Sequence, residues 1–194
     1  MKVFITGATG YIGSALCDTL TRAGHIVSGL ARSGEKAAAL EARGCIAVRG
    51  SLEDLPVLEQ AAASAQAVIH TAMSFDDTAA QRDHDAVEAI LGATRPARTP
   101  FIYTSGVWVM GDTRGRMLGE ISMIRPPELV AWRPAIEDLV LASHGTVFRP
   151  GMVFGRAGGF LAGMFNEART TGAVRVIGSG ENHCSCVHID DLVA

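Results

Sequence analysis

Short apolar runs alternate with amphipathic stretches along most of the chain. The runs are rich in β-branched residues, as is typical of buried parallel strands, and strands are predicted at residues 3–6, 26–30, 45–48, 67–70, 101–104 and 146–149. Between them, apolar residues recur at helical spacing, which predicts helices at residues 12–23, 35–43, 52–63, 86–91 and 135–142. This alternation favours an α/β fold with a doubly wound parallel sheet, whose ligands bind at the carboxyl ends of the strands.

The pattern weakens in three places. Residues 75–85 are polar and are predicted to be a loop leading into the helix at 86–91. Residues 106–127 are rich in glycine and proline and are predicted to form a long functional loop. After Gly151 we expect a helix at 160–169, strands at 174–176 and 184–188, and a final short helix capped by Asp190.

Three glycines, each three residues after the last, follow the first predicted strand. Gly7 allows a tight turn, Gly10 lets a pyrophosphate approach the backbone, and Gly13 lets the next helix pack closely on the strand. A pyrophosphate in this turn would lie on the first N–H groups of that helix. The turn therefore predicts dinucleotide binding. Its predicted contact residues are Gly7, Thr9, Gly10, Tyr11, Ile12 and Gly13.

This glycine spacing resembles that of the extended and atypical short-chain dehydrogenases/reductases, the NAD-dependent epimerase/dehydratase group. Further segments that carry the resemblance are Arg32-Ser33, His70-Thr71-Ala72, Tyr103-Thr104-Ser105, Arg149 to Gly155 and Val187 to Asp191. The resemblance implies a Rossmann fold, with an NAD(P)-binding domain at residues 1–152 and a partial substrate-binding region at residues 153–194. Extended members carry a larger C-terminal substrate lobe, so this chain is either a minimal version or lacks part of the natural protein.

The resemblance also implies contacts along the cofactor. Ser51 and Leu52 would lie near the adenine, and Thr104 and Ser105 near the nicotinamide. His70, Thr71 and Ala72 would line the middle of the cofactor, and Pro150, Gly151, Met152 and Val153 would lie beside the carboxamide. We interpret the histidine at this strand end as packing or hydrogen-bonding support rather than as a catalytic base.

The end of the second strand indicates which cofactor is preferred. A carboxylate about 20 residues beyond the glycine turn selects NAD by binding the ribose 2′-hydroxyl. Here the sequence has Arg32 and Ser33 and no carboxylate, so a guanidinium is available to pair with a 2′-phosphate. This predicts NADP(H), with NAD as the other candidate, unless Arg32 is only a solvated loop arginine.

The usual catalytic pair of this group, Tyr-x-x-x-Lys, is missing from the chain. The tyrosines are Tyr11 and Tyr103, the lysines are Lys2 and Lys36, and no tyrosine precedes a lysine by four residues. In the usual pair, the lysine lowers the pKa of the phenol so that it can move a proton. Any proton transfer in this protein therefore needs another group.

Alignment with the family motif puts Leu129 at the tyrosine position and Arg133 at the lysine position. Gly106 falls at the usual serine position, with Ser105 one residue earlier. Arg133 is suited to binding ribose hydroxyls or supplying a fixed charge, but its high pKa makes it a poor proton shuttle. Ser105 and Arg133 are the predicted catalytic residues; the alternative for Arg133 is an exposed arginine at a helix start.

Composition limits the partners. The chain has 194 residues, 48% apolar and 19% charged, with a net charge of −3, which is typical of a soluble globular protein. Nucleic acid and anionic membranes are not expected partners because there is no basic excess. Without a leader segment or a long apolar span, the expected location is the cytoplasm, and a homodimer is left open.

Cysteines and histidines do not indicate a metal site. Cys17, Cys45, Cys184 and Cys186 are expected to be free thiols, because disulfides are rare in the cytosol. The run from His188 to Asp191 contains metal-ligand residue types, but we interpret it as the start of a capped helix.

Two functions fit the sequence. One is an NADP-preferring oxidoreductase or epimerase-like enzyme that acts on a small carbonyl or sugar-related substrate. The other is a non-catalytic NAD(P)-binding regulator or sensor, which the missing tyrosine and lysine favour.

Overall fold

Strands and helices alternate through the first part of the chain, as the sequence predicts. The structure is a computed structural model that describes residues 1–74, 76–176 and 178–194. The chain divides into a first unit, Met1–Ser105 with Trp132–Phe148, and a second unit, Gly106–Ala131 with Arg149–Ala194.

The first unit is a six-stranded sheet with helices on both faces. Its elements are β1 (Lys2–Thr6), α1 (Tyr11–Arg22), β2 (Ile26–Ala31), α2 (Gly34–Glu41), β3 (Ile46–Arg49), α3 (Leu55–Ala63), β4 (Ala67–His70), α4 (Ala79–Thr94), β5 (Phe101–Thr104), α5 (Arg133–Ala142) and β6 (Thr146–Phe148). All paired strands are parallel, in the order β3-β2-β1-β4-β5-β6. The predicted doubly wound fold is confirmed, and the six predicted strands are present with small shifts at their ends.

Side chains of the central strand β1 alternate between two hydrophobic cores. Val3 and Ile5 point to the core shared with α1 and α2, which also includes Leu40. Phe4 points to the opposite core, which is filled by residues of α3, α4 and α5. These three residues of β1 are at most 4% exposed, because β1 lies in the middle of the sheet.

Helix α4 begins earlier than the sequence pattern predicts. Residues 79–85 were expected to be loop but are helical, and Phe75 lies outside the described residues. The reason is Asp83, a buried polar residue on the same helix as the buried Ala86, Val87 and Ile90. A carboxylate on the buried face interrupts the apolar pattern by which a helix is recognised in a sequence.

The second unit contains a small parallel pair of strands and two helices. Its elements are β7 (Met152–Gly155), α6 (Gly159–Thr171), β8 (Cys186–His188) and α7 (Ile189–Leu192). Strand β7 was not predicted, and the strand expected at 174–176 is absent among the described residues. The cap of α7 was also predicted wrongly: His188 is the cap, and its Nδ1 accepts from the backbone N–H of Asp190 at 3.2 Å.

None of the helices in the described ranges is long and apolar enough to cross a bilayer. All four cysteines are free, as expected. Burial raises the pKa of the Cys17 thiol to about 12, so this thiol stays protonated at neutral pH.

Candidate dinucleotide and substrate site

The strand order reverses between β1 and β4. The chain continues from β1 to β2 on one side and from β4 to β5 on the other, so the loops after β1 and β4 diverge. Thr6 and His70 pair in register at the carboxyl ends of these strands. An open α/β sheet binds its ligands in the crevice at such a point.

The glycine turn follows β1 at this crevice. Gly7 has φ +70°, and a Cβ there would lie 2.6 Å from the backbone nitrogen of Ala72. A Cβ at Gly13 would overlap the carbonyl oxygen of Gly7 and lie 2.7 Å from its carbonyl carbon. Gly7 and Gly13 are therefore required for the packing of the turn itself.

Gly10 differs from these two glycines because it is exposed. A Cβ at Gly10 would meet only the oxygen of Gly7, at 3.1 Å. Gly10 is the N-cap of α1 and no side chain caps the helix there. Since the first N–H groups of a helix have no partner within it, the outer surface of Gly10 can admit an anionic group. Thr9, Tyr11 and Ile12, the other predicted contacts in this turn, are partly buried.

Two arginines lie at the ends of β2 and β3. Arg32 directly follows β2 and is exposed, and Ser33 is the N-cap of α2, accepting from the N–H of Lys36 at 3.2 Å. Arg49 ends β3, and its Nη1 lies 3.5 Å from where a Cβ of Gly34 would be. Arg49 was not predicted as a site residue, although it ends a strand that pairs with the strand before Arg32.

Ser51 and Leu52 lie in the connection after β3. The Ser51 hydroxyl donates to Oδ2 of Asp54 at 3.0 Å, and the Ser51 backbone N–H donates to the same oxygen at 2.6 Å. Leu52 is half-buried and packs on the core beside α3 and α4. These bonds fix the chain at the adenine end of the predicted site, and contact of either residue with adenine stays a prediction.

A buried polar network lies beneath the crevice. Oγ1 of Thr6 lies 2.9 Å from Nδ1 of His70, and Nε2 of His70 lies 2.8 Å from Oδ1 of Asp83. The hydroxyl of Tyr103 donates to Oδ2 of Asp83 at 2.6 Å. The rings of His70 and Tyr103 stack with their centroids 5.6 Å apart, and all four residues of the network are buried.

The electrostatics of this network keep Asp83 ionised and Tyr103 protonated. Burial acts to raise the pKa of the Asp83 carboxyl, but His70, the Tyr103 hydroxyl and the charge of Arg133 outweigh it, and the pKa is lowered. Burial, together with the carboxylate of Asp83, raises the pKa of Tyr103 well above its ordinary value of 10.0. Tyr103 is therefore unsuited to proton transfer at neutral pH.

Both ring nitrogens of His70 are engaged in this network, and its side chain is fully buried. Its position favours a supporting role over that of a base. Asp83 was not recognised from the sequence. The sequence offers one sign of its role, because Asp83 stands at helical spacing from the apolar residues that follow it. Such an acidic residue is found both on the buried face of a helix and in the loop before a helix begins, so the spacing alone does not identify a buried carboxylate.

Thr71 connects the loop after β4 to the end of β1. The backbone N–H of Thr71 donates to the carbonyl oxygen of Thr6 at 3.2 Å, and its hydroxyl donates to the same oxygen at 2.8 Å. Ala72, which limits the space at Gly7, follows directly. The two loops that face the crevice are thus fixed to each other.

Ser105 and Arg133 lie at the carboxyl end of β5. The N–H of Ser105 donates to the carbonyl of Phe148 at 2.8 Å, but its buried hydroxyl has no partner in the part of the chain that the structure describes. Arg133 is the first residue of α5, and its Nη1 reaches the carbonyl oxygen of Thr104 at 3.5 Å. Since Thr104 directly precedes Ser105, the guanidinium and the hydroxyl are brought to the same strand end.

The interpretation of Arg133 as an exposed surface residue is wrong. Arg133 does begin a helix, but it is 7% exposed. Its Nη2 lies 2.8 Å from the sulfur of Met73, and its guanidinium lies 5.2 Å from the ring centroid of Trp132. Its Nε is buried without a partner among the described residues. Leu129, the residue aligned with the family tyrosine, is 59% exposed in the second unit.

The predicted carboxamide contacts belong to the second unit. The carbonyl of Pro150 accepts from the N–H of Val107 at 3.0 Å. A Cβ at Gly151 would lie 2.7 Å from the carbonyl oxygen of Ser185. Met152 and Val153 begin β7. Within the described residues, no three His, Cys, Asp or Glu side chains are arranged to hold a metal ion.

Sequence comparison matches residues 3–127 to the profile of the NAD dependent epimerase/dehydratase family. The chain belongs to this family. An uncharacterized protein of Schizosaccharomyces pombe is 36% identical to it over 98% of this chain and 68% of that protein.

A second relative has a named activity. The 2-alkyl-3-oxoalkanoate reductase of Stenotrophomonas maltophilia is 26% identical over 98% of this chain and 62% of that protein. The chain thus spans about two thirds of the length of these relatives. The UDP-glucose 4-epimerase of Thermus thermophilus, solved in complex with NAD, superposes with a TM-score of 0.81 at 20% identity, covering all of this chain and 72% of that one. This likeness confirms the fold.

The residues of the first unit fit the dinucleotide that the family name implies. Gly7 and Gly13 shape a turn that a Cβ would fill, Gly10 leaves its outer surface open, and the start of α1 has no side-chain cap. These residues would hold the pyrophosphate.

Proposed function

We propose that this protein is an oxidoreductase that prefers NADP(H) and reduces a small carbonyl compound. The observation that carries the proposal is the glycine turn at the switch point of the sheet, with Ser105 and Arg133 at a neighbouring strand end. The glycine turn would bind the cofactor, and Ser105 and Arg133 would bind the oxygen of the carbonyl that is reduced.

The preference for NADP(H) rests on the ends of β2 and β3. Arg32 and Arg49 supply two guanidinium groups, and neither takes part in an ion pair within the described residues. Ser33, whose oxygen caps α2, keeps a hydroxyl hydrogen that it can donate. A 2′-phosphate would find charge-assisted donors there, whereas the ribose hydroxyl of NAD would find no carboxylate.

A reduced nicotinamide supplies a hydride when it is bound. The residues of this chain then orient the carbonyl and stabilise the charge that develops on its oxygen. Ser105 has a hydroxyl donor with no partner among the described residues, and Arg133 provides a buried positive charge at the same strand end. Neither group is a good proton donor at neutral pH, so the proton must come from water or the substrate, and turnover is expected to be slow.

Reduction is favoured over epimerisation by the relative that is named a reductase of 2-alkyl-3-oxoalkanoates. Sugar-related substrates are the other candidates, because the structural neighbour is named a UDP-glucose 4-epimerase. The boundary between the cofactor and substrate parts, at residues 152 and 153, stays a prediction, as do the cytoplasmic location and a homodimer.

The second candidate function is a binder that does not turn its cofactor over. It is favoured by the missing Tyr-x-x-x-Lys pair and by the raised pKa of Tyr103, which makes that phenol unsuited to proton transfer.

The test is single-turnover oxidation of NADPH with a panel of small ketones, sugar nucleotides and 3-oxo acids, across pH. Ser105→Ala and Arg133→Ala should each lose most of the activity, and Arg133→Lys should retain part of it because the charge is kept. Tyr103→Phe should remain active. A large loss in Tyr103→Phe with unaffected Arg133 variants would refute the assignment, and binding of NADPH without oxidation by any compound would favour the second function.

A further inference from the structure

We propose that Arg133 and Ser105 form a binding site for the carboxylate and ketone of a 3-oxo acid. The inference rests on the proposed reductase function and narrows its substrate class to ketones that carry an anionic group two carbons away.

The hydrogen bonds of Arg133 are incomplete. A guanidinium has five N–H donors in one plane. Within the described residues, those of Arg133 have two acceptors: the carbonyl of Thr104, at a long 3.5 Å, and the thioether sulfur of Met73 at 2.8 Å. Thioether sulfur is a weak acceptor, and Nε has none.

The charge of Arg133 is not neutralised by a direct partner. None of the ion pairs among the described residues includes Arg133, although the side chain is 7% exposed. The charge of Arg133 acts on the buried Asp83, whose two oxygens are already bonded to His70 and Tyr103, and the buried Glu137 lies one turn further along α5. A buried charge that lacks a hydrogen-bonded counterion is costly, so an anion that enters this site would be strongly stabilised.

Ser105 supplies a second, independent sign of a ligand. Its hydroxyl is buried, with the residue 6% exposed, and has no partner among residues 1–74, 76–176 and 178–194. Two unsatisfied buried donors at one strand end indicate a polar ligand with two acceptor groups close together. A neutral ketone would satisfy Ser105 but would leave the guanidinium uncompensated.

A 3-oxo acid has the required chemistry. Its ketone carbon and carboxylate carbon are joined through a single carbon, so both groups can face one strand end. The planar carboxylate matches the fork of a guanidinium, and the ketone oxygen can accept from Ser105. Arg133 also begins α5, a helix of ten residues, whose positive end adds to the attraction.

The reaction at this site balances with a reduced nicotinamide and solvent. The ketone carbon accepts a hydride from the nicotinamide, and its oxygen accepts a proton from water. The products are a 3-hydroxy acid, the oxidised nicotinamide and a hydroxide ion, which the solvent neutralises. The carboxylate keeps its charge throughout, so Arg133 holds the substrate and need not lose a proton.

The experiment compares acids with neutral esters of the same shape. Acetoacetate and 3-oxohexanoate are each measured beside their methyl esters by NADPH oxidation. Wild type is compared with Arg133→Met, and Arg22→Gln serves as the matched control, because Arg22 is exposed at the far end of α1. A second arm measures binding of 3-hydroxybutyrate and its methyl ester to the protein loaded with NADP⁺, by calorimetry.

Wild type and Arg22→Gln should prefer the acids in kcat/KM by roughly ten- to a hundredfold, which is the effect of one charge-assisted pair. In Arg133→Met this ratio should fall close to one, and 3-hydroxybutyrate should no longer bind more tightly than its ester. If neither the acids nor the esters were reduced, but 3-hydroxybutyrate bound to wild type and not to Arg133→Met, the reductase function would be refuted and this site would be supported.

Three results would overturn the inference. The first is equal use of acids and esters by wild type, which would leave the reductase function intact. The second is weakened NADPH binding in Arg133→Met with an unchanged acid-to-ester ratio, which would assign Arg133 to the cofactor ribose. The third is absence of both turnover and binding of the acids.

Discussion

Replacement of Gly10 by valine separates the two roles of the glycine turn, which are packing against its own backbone and binding of the cofactor pyrophosphate. Gly10 has φ −81° and an extended conformation that a branched residue adopts without strain. A Cβ there would meet only the oxygen of Gly7, at 3.1 Å. The free energy of unfolding should therefore change by no more than about 1 kcal/mol, as at most surface positions.

Cofactor affinity should respond much more strongly. The valine side chain would occupy the space in which a pyrophosphate meets the start of α1. Loss of two charge-assisted hydrogen bonds, at roughly 1.5 to 3 kcal/mol each, removes about 3 to 6 kcal/mol. This corresponds to a rise in Kd of roughly two to four powers of ten.

Gly13→Ala is the matched control, because its added methyl group would overlap the oxygen of Gly7 and lie 2.8 Å from Cα of Ala8. Backbone cannot move aside easily, so this variant should lose about 1 to 3 kcal/mol of stability or more. Urea unfolding measures stability, and calorimetric titration measures NADPH binding. If Gly10→Val bound NADPH as wild type does, or unfolded as readily as Gly13→Ala, the assignment of Gly10 would be refuted.

Further predictions concern the arginine pair and the buried network. Arg32→Ala and Arg49→Ala should each reduce the preference for NADPH over NADH by about tenfold in calorimetric titrations, because each removes one partner of the 2′-phosphate. Asp83→Asn should lower the free energy of unfolding by about 1.5 to 3 kcal/mol, measured in urea, since it removes a buried carboxylate that is hydrogen-bonded to His70 and Tyr103. The pKa of Asp83 is lowered in the folded protein, so its contribution to the free energy of unfolding is present above its ordinary pKa of 3.8. That contribution is lost as the pH falls through the lower pKa of the folded state. Tyr103 has a raised pKa, so its contribution to the free energy of unfolding is complete below pH 10.0 and is lost as the pH rises above that value. Tyr103→Phe should therefore reduce the loss of stability in alkaline solution. The remaining loss should come from Cys17, whose pKa is also raised and whose contribution is lost above its ordinary pKa of 9.0.

The sheet could be predicted because its strands obey local rules. β4 and β5 are short apolar runs between turn residues, and both were located to the residue. The glycine turn could be predicted because each glycine has a separate steric reason. The early start of α4 could not, since Asp83 on its buried face is stabilised by partners from β4 and β5 that are distant in sequence.

The candidate site was predicted only in part, because some of its features depend on contacts between residues that are distant in sequence. Arg32 is visible from the sequence because it follows a strand at a known distance from the glycine turn. Arg49 is not, because its proximity to Gly34 depends on the pairing of two strands. The burial of Arg133 also depends on tertiary packing against Met73 and Trp132, whereas a sequence shows only an arginine before a proline.

Titration of the wild-type chain with NADPH and with NADH, followed by calorimetry, tests the central claim most directly. We predict one saturable site for each dinucleotide, with NADPH bound roughly ten- to a hundredfold more tightly if Arg32 and Arg49 pair with its 2′-phosphate as proposed. Equal affinities would contradict the assigned preference. Absence of saturable binding of both dinucleotides at millimolar concentration would contradict the account as a whole.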